Sequence, residues 1–166
     1  MNNQKHNHEV VFFFVTFVEP KTYIFQMNIE DIIIPPRKIN TEKSQLGHAV
    51  SQKIQENGIV LIFCSDYRGI KNGEAEILDF KTVRRELYRL SKLDFEIPVC
   101  DLGDLISGRT YQDTHYILQE LLSMCHYKNA IPVIIGGSND LAFSLFSALN
   151  FHQKNLNYTQ ISNIIS

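Results

Sequence analysis

The residues best placed for chemistry are Ser138, Asn139 and Asp140, three polar side chains that follow the apolar run Ile131–Ile135 and a glycine pair. A hydroxyl, an amide and a carboxylate can together donate and accept hydrogen bonds to a small polar ligand. The apolar run has no alternating polar positions, which is typical of a buried parallel strand. Because ligands bind at the carboxyl ends of parallel strands, we predict that Ser138, Asn139 and Asp140 bind substrate.

The segments around this turn alternate between strand and helix patterns. Ile59–Cys64 is an uninterrupted apolar run, which predicts a central strand covered on both faces. The loop after it, Ser65–Gly73, lies where loops often contact substrate. Two shorter patterns, Phe95–Cys100 and Tyr158–Ile165, also predict strands. Pro98 indicates a strand start or an edge position for the first of these.

Apolar residues at helical spacing predict three helices between the strands, over Ala75–Leu90, Gly108–Tyr127 and Leu141–Leu149. Thr110 and Asp113 form a pattern close to a capping box at the start of the second helix. We expect Tyr116 on the buried side of that helix, among its leucines. The alternation of strands and helices predicts an α/β fold with a mainly parallel sheet and helices on both faces.

Other chemically capable residues have plainer interpretations. Asp101 and Asp104 could ligate a metal, but carboxylates at a strand end usually cap a turn, and metal sites need more convergent oxygens. His115 and His126 are three helical turns apart, so we expect surface or packing roles. The remaining charged set could form a basic patch, but a solvated helix face fits it better; it comprises Arg84, Arg85, Glu86 and Arg89.

The composition favours one soluble domain with a real core. The chain has 166 residues, 44% of them hydrophobic, and a formal net charge of -2. This charge balance argues against a nucleic-acid partner. An odd set of cysteines without C-x-x-C spacing predicts reduced thiols in a cytoplasmic protein; they are Cys64, Cys100 and Cys125. No apolar run reaches the length of about 18 residues needed to cross a membrane, so no membrane partner is expected.

The region before the first central strand is less regular. We divide the chain into an N-terminal extension and edge segment, residues 1–57, and an α/β domain, residues 58–166. The apolar run Val10–Val18 resembles the middle of a signal peptide, but no small-residue cleavage site follows it. A first strand or a hydrophobic extension is the preferred interpretation.

Several of these motifs together resemble the ureohydrolase superfamily, which includes arginase, agmatinase and formimidoylglutamase. In that superfamily a strand ends in Gly-Gly-Asp-His-Ser and continues into a helix. Here the corresponding residues are Gly136-Gly137-Ser138-Asn139-Asp140-Leu141. Val83–Leu90, Val99–Asp104 and Asp113-Thr114 occur in the order and at the intervals of such proteins. The resemblance covers roughly residues 58–150. Within the superfamily, the chain is most similar to a divergent, formimidoylglutamase-like branch.

This resemblance implies a three-layer α/β/α arginase-type fold and manganese-dependent hydrolysis of C–N bonds in linear amidines, with formimidoylglutamate the favoured substrate. The family's manganese ligands are the histidine of the glycine turn and two later Asp-rich motifs. Asn139 occupies the histidine position, and its amide oxygen is a poorer manganese ligand. The later motifs have no counterpart before Ser166. The resemblance thus implies Asn139 as the metal position and leaves binding by this chain in doubt.

Several alternatives stay open. We expect an N-terminal portion of a longer arginase-like protein, with a fold incomplete on its C-terminal side, or a short inactive relative. The implied partner is a small-molecule amidine or guanidine, and an exposed sheet edge could also support a homo-oligomer. A non-catalytic ligand-binding or assembly module is a different class, since a glycine pair after a buried strand also serves phosphate binding or a tight turn. Dinucleotide, P-loop and nucleophile-elbow motifs are absent from the sequence.

Overall fold

A mainly parallel sheet forms the centre of the computed structural model, which describes residues 28–70, 77–92 and 97–152. The sheet has 4 strands in the order β1-β3-β2-β4. β2 pairs in parallel with both β3 and β4, whereas β1 pairs antiparallel with β3. The strands are β1 (Ile33–Ile34), β2 (Ile59–Cys64), β3 (Val99–Leu105) and β4 (Ile131–Ile135). The predicted α/β class with a mainly parallel sheet is confirmed.

Four α-helices accompany the sheet within the described ranges: α1 (Ile29–Ile32), α2 (Phe80–Arg89), α3 (Tyr111–Tyr127) and α4 (Ala142–His152). The chain also makes 3₁₀ turns at Leu46–His48 and Asn139–Leu141. None of the helices in the described ranges combines the length and apolar character of a membrane span. The predicted strands at Val10–Val18 and Tyr158–Ile165 lie outside the described residues.

Local signals set most helix boundaries. The Thr110 side chain accepts a hydrogen bond from the Asp113 N–H, and the Asp113 side chain accepts one from the Thr110 N–H, so the predicted capping box is confirmed. α2 begins later than predicted, because Asp79 adopts an extended conformation and caps the helix at the Lys81 N–H. Tyr116 was predicted to be buried, which is wrong: it is 53% exposed, on the outer side of α3.

Apolar side chains pack against both faces of the sheet. Alternate residues of β2, including Val60 and Ile62, point into a large cluster with α1, α3 and α4. The intervening residues, Leu61 and Phe63, point into a smaller cluster with α2. This division follows from the period of two along a strand. Both faces of β2 are covered, as its uninterrupted apolar run predicts.

A buried ion-pair network lies on the α2 side of the sheet. Arg84 is 5% exposed, so the predicted solvated position is wrong for this residue. Its Nε atom lies 2.7 Å from Asp101 Oδ2, and its Nη2 atom lies 2.6 Å from Asp104 Oδ1. The Tyr88 hydroxyl also donates to Asp101 Oδ2, at 2.8 Å. The guanidinium carbon is 3.8 Å from the centre of the Phe63 ring, so aliphatic and aromatic contact complete its burial.

This network explains why the turn predicted at Asp101 and Asp104 is not observed. β3 continues through Asp101 and Asp104 to Leu105, because Arg84 neutralises the carboxylates that would otherwise oppose burial. Pro98 directly precedes the strand, as the prediction of a strand start requires. The strand itself is not at the edge, since it pairs with both β1 and β2. Gly103, with φ of 119°, lies at an irregularity in the β2–β3 register.

The segment before residue 58 also contributes to the sheet. β1 pairs Ile33 with Leu105 and Ile34 with Asp104, which places a short antiparallel strand at one edge. Ser51 forms an isolated parallel bridge with Cys100. The described part of this segment therefore lies against β3, in the extended edge position that its prolines favour.

Candidate functional site

Three connections meet at the carboxyl edge of the sheet, because β2, β3 and β4 run parallel. Residues 65–70 follow β2, residues 106–110 lead from β3 into α3, and residues 136–141 lead from β4 into α4. Arg68 of the first connection donates to backbone carbonyls of the second, and Ser138 of the third donates to the Asp66 carbonyl of the first. Residues far apart in sequence thus form one candidate site at the position that parallel α/β sheets use for ligands.

Both positions after β4 require glycine, because their backbone φ values are positive and because neighbouring atoms lie close to them. Gly136 and Gly137 have φ values of 89° and 78°, a region that side chains disfavour. A Cβ atom on Gly136 would lie 2.8 Å from the carbonyl oxygen of Cys64, and one on Gly137 would collide with the Leu141 side chain. The pair therefore lets the end of β4 approach the end of β2 and bend sharply into the next turn.

Ser138 fastens this turn to the loop after β2. Its N–H donates to the Asp66 carbonyl at 3.0 Å, and its hydroxyl reaches the same oxygen at 3.2 Å. Ser138 is buried. Its observed contacts position the turn, while the neighbouring Asn139 side chain is exposed at the same edge.

Asp66 and Arg68 form a bidentate ion pair at the edge. Arg68 Nε lies 3.0 Å from Asp66 Oδ1, and Arg68 Nη2 lies 2.5 Å from Asp66 Oδ2. The Arg68 guanidinium also donates to the connection that leads into α3, at the carbonyls of Gly108, Arg109 and Thr110 and the hydroxyl of Thr114. One side chain thus joins the loop after β2 to the loop after β3.

These hydrogen bonds perturb the Asp66 carboxyl group. The Arg68 guanidinium is the main cause, and it lowers the pKa of Asp66 from 3.8 to about 2 although burial opposes the shift. Asp66 is therefore a carboxylate whose charge is already neutralised by a neighbour. It holds the loops together and leaves little net charge for a ligand.

Asp140 lies at the centre of a second cluster, beside Tyr111 and His115 of α3. The Tyr111 hydroxyl donates to Asp140 Oδ2, and His115 Nε2 lies 3.1 Å from the same oxygen. The other His115 nitrogen, Nδ1, is 2.5 Å from the Ser144 hydroxyl. The tautomer with the proton on Nε2 satisfies both contacts, because the imidazole then donates to the carboxylate and accepts from Ser144.

The environment of Asp140 keeps its carboxyl group ionised. Burial would raise the pKa of Asp140, but hydrogen bonds from Ser138, Tyr111 and His115 lower it overall. The pKa of Tyr111 changes in the opposite direction. Desolvation and then the hydrogen bond to Asp140 raise the pKa of Tyr111 to about 12. Asp140 is thus a negative charge at neutral pH, while the Tyr111 hydroxyl remains a donor.

The types Asp140, His115 and Ser144 match those of a hydrolytic triad, but their arrangement does not support that chemistry. Ser144 is fully buried between α3 and α4, so its hydroxyl has no access to a substrate carbonyl. Its observed role is to orient the imidazole. This cluster is better suited to holding a carboxylate than to nucleophilic attack.

One oxygen of Asp140 differs from the other. Oδ2 accepts from both Tyr111 and His115, whereas Oδ1 is buried. The backbone of Gly69 lies against Oδ1, and a Cβ atom added to Gly69 would collide with the carboxylate. Gly69 therefore has to be a glycine, because its backbone packs directly against the buried Oδ1 atom.

The three residues predicted to bind substrate therefore differ from one another in their burial and contacts. Ser138 is buried in a loop contact, Asn139 is exposed, and Asp140 is half-buried within the cluster. The sequence interpretation did not place Tyr111 and His115 at this site. Their spacing of one helical turn at the start of α3 was the available signal, because this turn lies at the carboxyl edge of the sheet.

Manganese chemistry does not fit the described residues. They contain no group of three or more His, Cys, Asp or Glu side chains that could hold a metal ion. Asn139, at the position that the resemblance gives to a metal ligand, is exposed, and the neighbouring Asp140 carboxylate is engaged by Tyr111 and His115.

No family model, curated protein or solved structure matches the chain.

Proposed function

We propose that this chain adopts a three-layer, arginase-type α/β/α fold and binds a small molecule with an amidine or guanidine group at the carboxyl edge of its sheet. The observation that carries the proposal is the glycine-pair turn after buried β4, which sets Asn139 and Asp140 beside the loop after β2. The same turn carries the sequence resemblance to ureohydrolases. Formimidoylglutamate is the favoured ligand within this class.

The charges at the edge support a cationic ligand. Arg68 neutralises Asp66, whereas Asp140 is paired with a tyrosine and a histidine and keeps a negative charge. Amidines and guanidines are planar cations whose N–H groups form charge-assisted hydrogen bonds with carboxylates. Asn139, exposed one residue away, can accept or donate a further hydrogen bond through its amide.

Hydrolysis of the ligand's C–N bond is the reaction that the resemblance implies. The described residues do not fit the manganese ions of that reaction, so our proposal for them is substrate binding. The second candidate is a non-catalytic α/β binding module. Asn139 favours it, because the resemblance places a histidine ligand at this position.

Ligand titration followed by NMR tests the proposal on the purified chain. We expect formimidoylglutamate, agmatine or arginine to shift the amide signals of Asn139 and Asp140. Asp140→Asn should weaken binding by about tenfold, because it removes the charge-assisted contact. Glu56→Gln is the matched control, since Glu56 is an exposed carboxylate just before β2, at the opposite edge of the sheet.

The outcomes separate the two candidates. Binding that depends on Asp140 supports an amidine site, and release of urea or formamide by the manganese-loaded chain would contradict the non-catalytic candidate. Equal affinity in Asp140→Asn and wild type would contradict an Asp140-based site. Tight binding of a nucleotide with no response to amidines would favour a general α/β phosphate binder instead.

A further inference from the structure

Two asparagines meet at the amino edge of the sheet, opposite the candidate site. Asn57 lies two residues before β2 and Asn129 two residues before β4, and these strands run parallel side by side. Their φ values are 56° and 51°, in the left-handed region that asparagine tolerates better than most residues with a side chain. Both residues are exposed, and Asn129 Nδ2 donates to Asn57 Oδ1 at 2.5 Å.

The fold requires a glycine directly after Asn57. Gly58 is buried, and a Cβ atom at this position would lie 2.8 Å from the carbonyl oxygen of Pro98. The Gly58 carbonyl accepts a hydrogen bond from the Ile131 N–H at 2.8 Å, which ties the start of β2 to the start of β4. The left-handed turn and the close packing together place an Asn-Gly dipeptide at an exposed position.

An asparagine followed by glycine can deamidate without an enzyme, because no side chain hinders attack by the glycine nitrogen. The Gly58 nitrogen would attack Cγ of Asn57 within the same chain, which makes the step intramolecular. A bond forms between that nitrogen and Cγ, the Cγ–Nδ2 bond breaks, and Nδ2 leaves as ammonia with the proton of the Gly58 N–H. Water then opens the resulting succinimide at either carbonyl, which gives aspartate or isoaspartate at position 57.

The contacts of this turn oppose ring closure. The Gly58 nitrogen can reach Cγ only if the backbone and side chain of Asn57 rotate. The Asn57 N–H donates to the Lys128 carbonyl at 3.1 Å, which holds the backbone of the turn. The hydrogen bond from Asn129 holds the side-chain amide that has to react. Deamidation therefore needs a local opening in which these hydrogen bonds are broken.

We propose that Asn57 is a site of succinimide-mediated deamidation and that the hydrogen bond from Asn129 controls its rate. The rate is then proportional to the fraction of molecules in which this turn is open. Either product places a new carboxylate next to Glu56, and isoaspartate also adds a carbon to the backbone just before the central strand β2. This inference is independent of the proposed ligand and goes beyond it.

Incubation of the complete chain at mildly alkaline pH tests the inference. Proteolytic peptides are mapped by mass spectrometry, and isoaspartate is resolved by chromatography. Asn129→Asp keeps the shape of the side chain and removes the donor, so deamidation at Asn57 should become about two- to tenfold faster. Asn40→Asp is the matched control, because Asn40 is another exposed asparagine, and its rate should equal that of wild type. Equal rates in Asn129→Asp and wild type would overturn the inference.

A second variant separates the lost hydrogen bond from the added charge. Asn129→Gly also accepts a positive φ and lacks the amide, so it should accelerate deamidation at Asn57 as well. The same dipeptide at Asn72-Gly73 is an internal reference, and its rate should not change in either variant. An equal rise at both dipeptides would contradict a local effect of Asn129.

Unfolding the wild-type chain in urea measures the protection directly. Asn57 should deamidate faster in urea than in the folded protein, because the turn is then open in every molecule. Equal rates at Asn57 in the folded and unfolded chains would contradict protection by the fold. A folded Asn129→Asp or Asn129→Gly chain that forms no aspartate or isoaspartate at position 57 would overturn the assignment of the site.

Discussion

At the scale of single residues, the Arg68 side chain connects two loops at the carboxyl edge of the sheet. It pairs with Asp66 through two nitrogens and contacts four residues between 108 and 114. Bidentate geometry of this kind is specific to the planar guanidinium. Arg68 therefore fixes the relative position of two loops, one of which contains Gly69 and the other of which leads to Tyr111.

Asp66 makes stability depend on pH. Its pKa in the folded protein, about 2, is below the ordinary value of 3.8, so the pair stabilises the fold above pH 3.8 and this contribution is lost as pH falls through 2. We expect wild type to lose roughly 1–2 kcal/mol between about pH 4 and pH 2 for this reason, given partial screening at the half-exposed Arg68. Urea unfolding at several pH values measures it.

Asp66→Asn should flatten this part of the pH profile and lower stability at pH 7. Asp31→Asn, at an exposed aspartate of α1, controls for a general change in net charge. A profile in Asp66→Asn with the same slope as wild type between pH 4 and pH 2 would show that another group carries the dependence.

At the scale of elements, the start of α3 links local helix chemistry to the site. Thr110 and Asp113 satisfy each other's backbone N–H groups, which ends the loop and begins the helix. The first five residues of this helix include both Tyr111 and His115. Fraying at this end would therefore move the two donors away from Asp140.

Thr110→Ala should cost about 1 kcal/mol of unfolding free energy, since the Asp113 N–H loses its acceptor. Faster hydrogen exchange at the first amides of α3 should accompany the loss. Thr110→Ser retains the hydroxyl and should behave like wild type. Equal stability and exchange in the alanine and serine variants would mean that the cap does not hold the end of the helix.

At the scale of the whole molecule, the two faces of the sheet are stabilised in different ways. The face that packs against α3 and α4 buries a broad apolar cluster. The face that packs against α2 has a smaller apolar cluster, supplemented by the ion pairs of Arg84 with Asp101 and Asp104. Attachment of α2 to the sheet thus depends on a charge that is buried and paired.

Arg84→Met should destabilise the protein by about 3–5 kcal/mol, because it leaves the fully buried Asp101 without its cation. Arg85→Met is the matched control: Arg85 is the adjacent, half-exposed arginine, and its loss should change stability by less than about 0.5 kcal/mol. Combining Arg84→Met with Asp101→Asn should recover part of the loss. Denaturant unfolding of the variants measures these changes. Equal losses of unfolding free energy in Arg84→Met and Arg85→Met would contradict a structural role of the network.

The sequence by itself determined the elements whose signals are local. Uninterrupted apolar runs predicted β2 and β4 at their observed bounds, and Thr110 with Asp113 predicted the start of α3. The glycine pair predicted a sharp turn after β4, because positive φ values disfavour every residue with a side chain. These features need neighbours of only a few positions along the chain.

The tertiary structure alone decided which charged and polar residues are buried and what they contact. Arg84 and Asp101 are 17 positions apart, and His115 and Asp140 are 25 apart. A charge can be buried only where a partner neutralises it, and that partner is known only once the strands and helices are placed. For this reason the sequence identified Asp140 as a candidate, whereas Tyr111 and His115 became part of the site only through the packing of α3 against the turn.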